Sequence, residues 1–138
     1  MTLQERLVAV LNEILPTQQE SDGAVTVHHD ETFASLRVVT IGEGLDMVSL
    51  TQILVWDLPL DSKVRAKVAK HASDTLLGTV SLVEKIGSKG NSKKTADVLL
   101  RYNFPAAGLT DDALRTLIMM VLATGSDVRR ALVDVSGT

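Results

Sequence analysis

The stretch "LDMVSLTQILVWDL", residues 45 to 58, follows Gly42 and Gly44, ends at Pro59, and is apolar at both odd and even positions. A strand of that length crosses a whole sheet, whereas burial on one side requires apolar residues on only one face. Val48, Leu50, Leu54, Trp56 and Leu58 share one face, interrupted by Gln52. Leu45, Met47, Ile53 and Val55 share the other, with Ser49, Thr51 and Asp57. The first face is the expected core, because it carries the tryptophan and fewer polar atoms whose burial demands partners. Two accounts of the second face stand side by side. In one, helices cover both sides, or strand curvature moves the core from one face to the other partway along. In the other, Met47, Ile53 and Val55 stay accessible and receive a partner, since contiguous exposed apolar patches mark binding sites.

The rest of the chain supplies the neighbours of that strand. Leu3, Leu7, Val10, Leu11 and Ile14 recur at helical spacing, and Thr2 with Glu5 has the spacing of a capping box. Pro16 ends this helix, and "TQQESDG" reads as a polar connection. "AVTVHHD" and "FASLRVVTI" read as strands joined by a turn around Asp30 to Thr32, and "GEG" at 42 to 44 supplies a hairpin into the long strand. Asp61 or Ser62 caps a second helix with Val64, Val68, Ala72 and Leu76 on one stripe and Gly78 as its stop. "TVSLVEKI" and "TADVLLRYNF" follow as a hairpin, then Thr110 caps a last helix bearing Leu114, Leu117, Ile118, Val121 and Leu122, which Gly125 bends or divides. The order is α-β-β-β-α-β-β-α. Sequential strands separated by single helices predict an α+β fold, a two-layer sandwich with a five-stranded, mainly antiparallel sheet.

Composition narrows function more than it names one. The 138 residues fit a single domain spanning 1–138. A net charge of −3 and four aromatics in the whole chain offer neither a phosphate-attracting field nor a stacking platform, which argues against a nucleic-acid partner. Zero cysteines exclude disulfides and fit a reducing compartment. Glu5, Arg6 and Glu13 make the first segment neither a secretory leader nor a membrane span, so a cytoplasmic protein is expected, with no membrane partner.

The search for chemistry returns weak patterns. "HHDE" at 28 to 31 holds metal-ligand types, but neighbours in an extended chain point alternately to opposite sides, and a solvated turn accounts for them. "GSKGNSKK" at 87 to 94 lacks the ending of a phosphate loop and runs into a strand, so it reads as a hairpin with Lys85, Lys89, Lys93 and Lys94 in or beside it. Asp111 and Asp112 belong to a first helical turn, where the dipole favours them. His71 lies near the apolar stripe of the second helix and reads as a core or interface histidine. No catalytic residue, metal or cofactor is assigned, and the expectation is that the chain is not an enzyme.

The element order, together with "LLRYNFPA" and "GLTDDAL" opening the last helix, resembles the bacterial YbjN-like proteins and related peptide-binding chaperone domains, whose fold is similar to type III secretion chaperones. The resemblance covers about residues 2 to 132 and rests on topology more than on invariant residues. It implies a noncatalytic, homodimeric module that presents apolar surface to an extended peptide or protein client. On that basis Met47, Ile53 and Val55, with Leu3 and Leu7 along the first helix, form the expected partner surface. Plain core packing is the competing account of Leu3 and Leu7. Val64, Val68, His71 and Ala72 form the expected dimer contact. Two other functions compete: a regulatory protein in bacterial stress or sensory signalling, and a metal-dependent enzyme using His28, His29 and Asp30.

Overall fold

The computed structural model describes residues 1–86 and 94–133. Most of the lysine-rich loop at 87 to 94 therefore lies outside the described residues. The elements run α1 (Leu3–Ile14), β1 (Thr17–Gln19), β2 (Val25–His29), β3 (Thr32–Gly42), β4 (Leu45–Pro59), α2 (Ser62–Asp74), β5 (Thr79–Ile86), β6 (Lys94–Pro105) and α3 (Asp111–Val133). The strands form one sheet in the order β1-β2-β3-β4-β6-β5. Every neighbouring pair is antiparallel.

The sheet has six strands, not five. The added strand, β1, lies inside "TQQESDG" and pairs Thr17 with Val27 and Gln19 with Val25. Its three residues are too few and too polar to show alternation, so only the edge it pairs with reveals it. Elsewhere local chemistry sets the boundaries. The Thr2–Glu5 capping box is formed at the start of α1. Asp61 caps α2 through the Val64 amide at 2.8 Å, and Thr110 accepts the Ala113 amide at 3.1 Å to open α3.

The three helices lie on one face of the sheet. α1 meets β3, α3 meets β2 and β4, and α2 meets β5, while α3 also touches the other two helices. Beneath them Leu36, Val48, Leu50, Leu100, Leu114, Ile118 and Leu122 are each 0% exposed, in one continuous core. Val64, Val68 and Ala72 turn their stripe into that core. Leu76 does not continue it, because α2 ends at Asp74 and Leu76 is 90% exposed. Gly78 lies beyond the helix and packs on β6, where an added Cβ would sit 2.9 Å from a Leu100 methyl carbon.

Gly125 does not divide α3, which is helical through Val133. It makes room for Gln52. That side chain is 0% exposed and its Nε2 donates to Thr32 Oγ1 at 2.8 Å and to the Leu122 carbonyl at 3.1 Å. A Cβ on Gly125 would stand 1.9 Å from Gln52 Oε1.

Candidate functional site

The opposite face of the sheet has no helix over it among the described residues. Its character follows from alternation along each strand: as Leu36, Val48, Leu50 and Leu100 point to the helices, their odd-numbered neighbours point away. Register sets these side by side, with Val39 opposite Met47, Phe33 opposite Ile53, Ile53 opposite Leu99 and Thr51 opposite Arg101. The open face has an apolar zone at each end and a polar belt between them.

At one end Val39, Ile41 and Met47 line a groove of about 220 Å³ with Ser49 and Asn103, and Leu45 stands beside it in the same strand. Ile41 is 59% exposed. It sits where the β3–β4 register slips between Thr40 and Gly42, a bulge at the sheet corner. At the other end Phe33 is exposed, stacked on His28 with ring centroids 4.5 Å apart, next to half-buried Ile53.

Trp56 reverses an expectation. Alternation places it on the core face of β4, yet it is 60% exposed, while Val55, expected on the accessible face, is 6% exposed. The cause lies in two register shifts, between Ile53 and Val55 and between Val55 and Leu58. The first lets Leu54 and Val55 both face the helices, so strict alternation fails after Ile53. At the second, Asp57 takes φ +53°, a left-handed conformation uncommon for a residue with a side chain. The bulge is held from outside: the Asp57 amide donates to Asp97 Oδ1 at 3.0 Å. Lys85 pairs with Asp57 and, at 2.8 Å, with Asp97, while its Nζ lies 5.9 Å from the Trp56 ring centroid. Burial pushes the Asp97 carboxyl up, but the Lys85 ammonium and the Asp57 amide outweigh it and leave Asp97 below the usual carboxylate value. The hydrogen bonds to Asp57 and Asp97 raise the Lys85 ammonium.

The polar belt centres on Arg101, with Ser49, Thr51 and Asn103 beside it. Gly78, Thr79, Ser81, Arg101, Tyr102 and Asn103 line a depression of about 510 Å³.

The expected partner residues divide between the two faces. Met47 and Ile53 stand on the open face, half-buried. Val55, Leu3 and Leu7 are in the core, at 6%, 7% and 0% exposure. Val68, at the centre of the expected dimer contact, is 5% exposed within its own chain, and Val64 and Ala72 pack on the same core. A contact made by the Val68 side chain itself would require it to leave that core. His71 is half-buried and lends its carbonyl to the Thr75 hydroxyl at 2.6 Å. Phe33, Val39, Ile41, Trp56 and Arg101 are further residues of this open face that the sequence reading misses. Strand β3 carries a signal for three of them: Phe33, Val39 and Ile41 share a face with Ser35 and Arg37, which marks that face as the open one.

The histidines of "HHDE" part company. His28 stacks on Phe33 outside, whereas His29 Nδ1 lies 2.7 Å from the hydroxyl of Ser126, which is 1% exposed. Asp30 Oδ2 lies 3.8 Å from that same nitrogen. A serine–histidine–carboxylate relay needs the serine and the acid on different ring nitrogens, so this contact ties β2 to α3. Among the described residues no three His, Asp or Glu side chains converge as a metal site. No helix among them is long and apolar enough to cross a membrane.

No family model and no curated protein matches the sequence. The fold is similar to that of the crystal structure of YbjN, a candidate transcription regulator from E. coli, with a TM-score of 0.57 at 9% identity. The likeness covers 96% of this chain and 91% of that one, and it supports a YbjN-like α+β fold.

Proposed function

We propose that this chain is a noncatalytic protein-binding module that receives a segment of another protein on the open face of its sheet. One observation carries the reading: of only four aromatics in the chain, Phe33 and Trp56 stand on this face at 52% and 60% exposure. A core built almost wholly of aliphatics has use for large rings, yet these two are exposed, and with Ile41 at 59% at the opposite end of the face they leave apolar area uncovered. Tryptophan is also among the residues most enriched at the energetic centres of interfaces. The proposed client is a protein or extended peptide held in a secretion-chaperone-like manner, in the cytoplasm.

The test is retention of an unfolded chain. Reduced, carboxymethylated α-lactalbumin, which cannot refold, should be retained by the immobilised wild type, and the native form should not. Retention should fall about tenfold for a Phe33→Ser, Ile41→Ser double variant that keeps its circular dichroism spectrum. Wild type that ignores the unfolded chain, or a double variant that retains it equally well, overturns the reading.

A regulatory protein acting through a folded partner is the second reading, and the description of YbjN as a candidate transcription regulator favours it. Retention of native proteins with no preference for unfolded ones would distinguish it.

A further inference from the structure

We propose that the open face recognises a carboxylate in its partner, with Arg101 as the reading residue and the neighbouring groove as the seat of an adjacent aliphatic side chain. The inference rests on the binding reading above and specifies its partner.

Among the described residues, the cations of this face are paired except at one position. Arg37 pairs with Asp22 at 2.8 Å, and Lys85 pairs with Asp57 and Asp97. Arg101 is exposed and has neither an ion pair nor a side-chain hydrogen bond among the described residues. The depression it borders is lined by Thr79, Ser81 and Asn103, groups with hydroxyl or amide protons to donate, and no Asp or Glu lines it. An unpaired guanidinium among neutral donors fits a carboxylate, which it grips through two parallel hydrogen bonds.

The apolar part adjoins it. Asn103 borders both the Arg101 depression and the groove of Val39, Ile41 and Met47. One short segment therefore spans both, with its acid on Arg101 and an aliphatic residue in the groove.

A second copy of this chain does not supply that acid in a two-fold contact of the face with itself. Asp22, Asp57 and Asp97, the carboxylates paired on or beside this face, already hold cations. Such a contact centred on Arg101 would bring two guanidinium groups together, and the carboxylates that hold no cation, Glu20 after the edge strand β1 and Glu43 in the β3–β4 turn, lie at the margins of the face rather than beside Arg101 on β6. Nor is a nucleic acid favoured, because one unpaired cation releases few counterions and the chain carries a net charge of −3.

The experiment is selection of phage-displayed random short peptides on wild type and on Arg101→Glu, with affinities then read by fluorescence polarisation. Wild type should enrich Asp or Glu beside an aliphatic residue. Arg101→Glu should weaken those peptides by about tenfold or more and enrich Lys or Arg in their place. Arg101 is exposed, so this variant is expected to stay folded, and circular dichroism checks it. Peptides without acidic preference that are nonetheless lost in Ile41→Ser overturn the carboxylate and spare the binding face. Acidic peptides that bind Arg101→Glu unchanged also overturn the carboxylate. Peptides indifferent to both variants overturn the face as well. A short DNA duplex, or inorganic phosphate, that binds wild type through Arg101 in place of the peptides overturns the choice of a polypeptide carboxylate.

Discussion

Leu50 and Thr51 are neighbours in β4, yet Leu50 is 0% exposed beneath the helices while Thr51 stands on the face with no helix over it. The same strand thus has two different sides along most of its length: one packed beneath the helices, the other with no helix over it among the described residues. Apolar residues on the covered side are present because removing them leaves a hole. Apolar residues on the open side, half-buried or exposed, are expected to contribute less to the fold. The difference is measurable. Leu50→Ala is expected to cost about 2–5 kcal/mol, the loss of a fully buried leucine plus the cavity it leaves. Ile53→Ala, three residues on and half-buried on the open face, is expected to cost about 1 kcal/mol or less. Urea unfolding midpoints compare the two. Equal costs would mean that the open face is a second core.

A polar group inside the covered face sets a subtler limit. Gly125→Ala would drive its methyl into Gln52 Oε1, and moving Gln52 aside forfeits the bonds to Thr32 and Leu122. The expected cost is about 1–3 kcal/mol. In a Gln52→Ala background the obstruction is gone, so the same substitution should cost far less, and the double variant should cost less than the sum of the two single ones. Costs that simply add would place the strain elsewhere.

Much of the covered face is legible in the sequence, because periodicity and capping are local and redundant. The stripes of α1 and α3, the Thr2–Glu5 box and the Thr110 cap each follow from a few adjacent residues. The errors have one physical origin: they depend on pairing, which a single segment does not encode. β1 exists only against β2. The exchange of Val55 and Trp56 depends on bulges that appear only when β4 is set against β6. Gly125 reads as a helix breaker because its partner, Gln52, lies 73 positions away in sequence. Of the open face, Met47 and Ile53 are legible as the less suitable side of β4. Arg101 is not, since its lack of an ion pair among the described residues is a property of the assembled surface.

The electrostatics of the bulge beside Trp56 should show in acid. Asp97, Glu84, Asp22 and Glu5 all sit below their ordinary values: Asp97 through Lys85 and the Asp57 amide against burial, Glu84 through Arg65, Asp22 through the Ala24 amide and Arg37, Glu5 through Thr2. A carboxyl whose folded value is depressed contributes stability above its unfolded value, and that contribution disappears as pH falls through the folded value. The urea midpoint is therefore expected to hold steady around neutrality and to decline below about pH 4. Asp97→Asn should remove part of the decline. A midpoint that rises on acidification would contradict the assignment.

The smallest expected change in stability is the one that says most about the open face. Ile41 is 59% exposed and Leu45 43% exposed, at the two sides of a hairpin end. Ile41→Ser and Leu45→Ser should each shift stability by no more than about 0.5 kcal/mol, since little of either side chain leaves water on folding. If these residues serve a partner, the same variants should lose most of the affinity for acidic-aliphatic peptides while their unfolding curves overlay the wild type. Loss of affinity without loss of stability separates a surface kept for binding from one kept for packing. A large drop in stability instead would show that the hairpin end needs its apolar pair to close, and the exposed area would then reflect a local requirement of the turn.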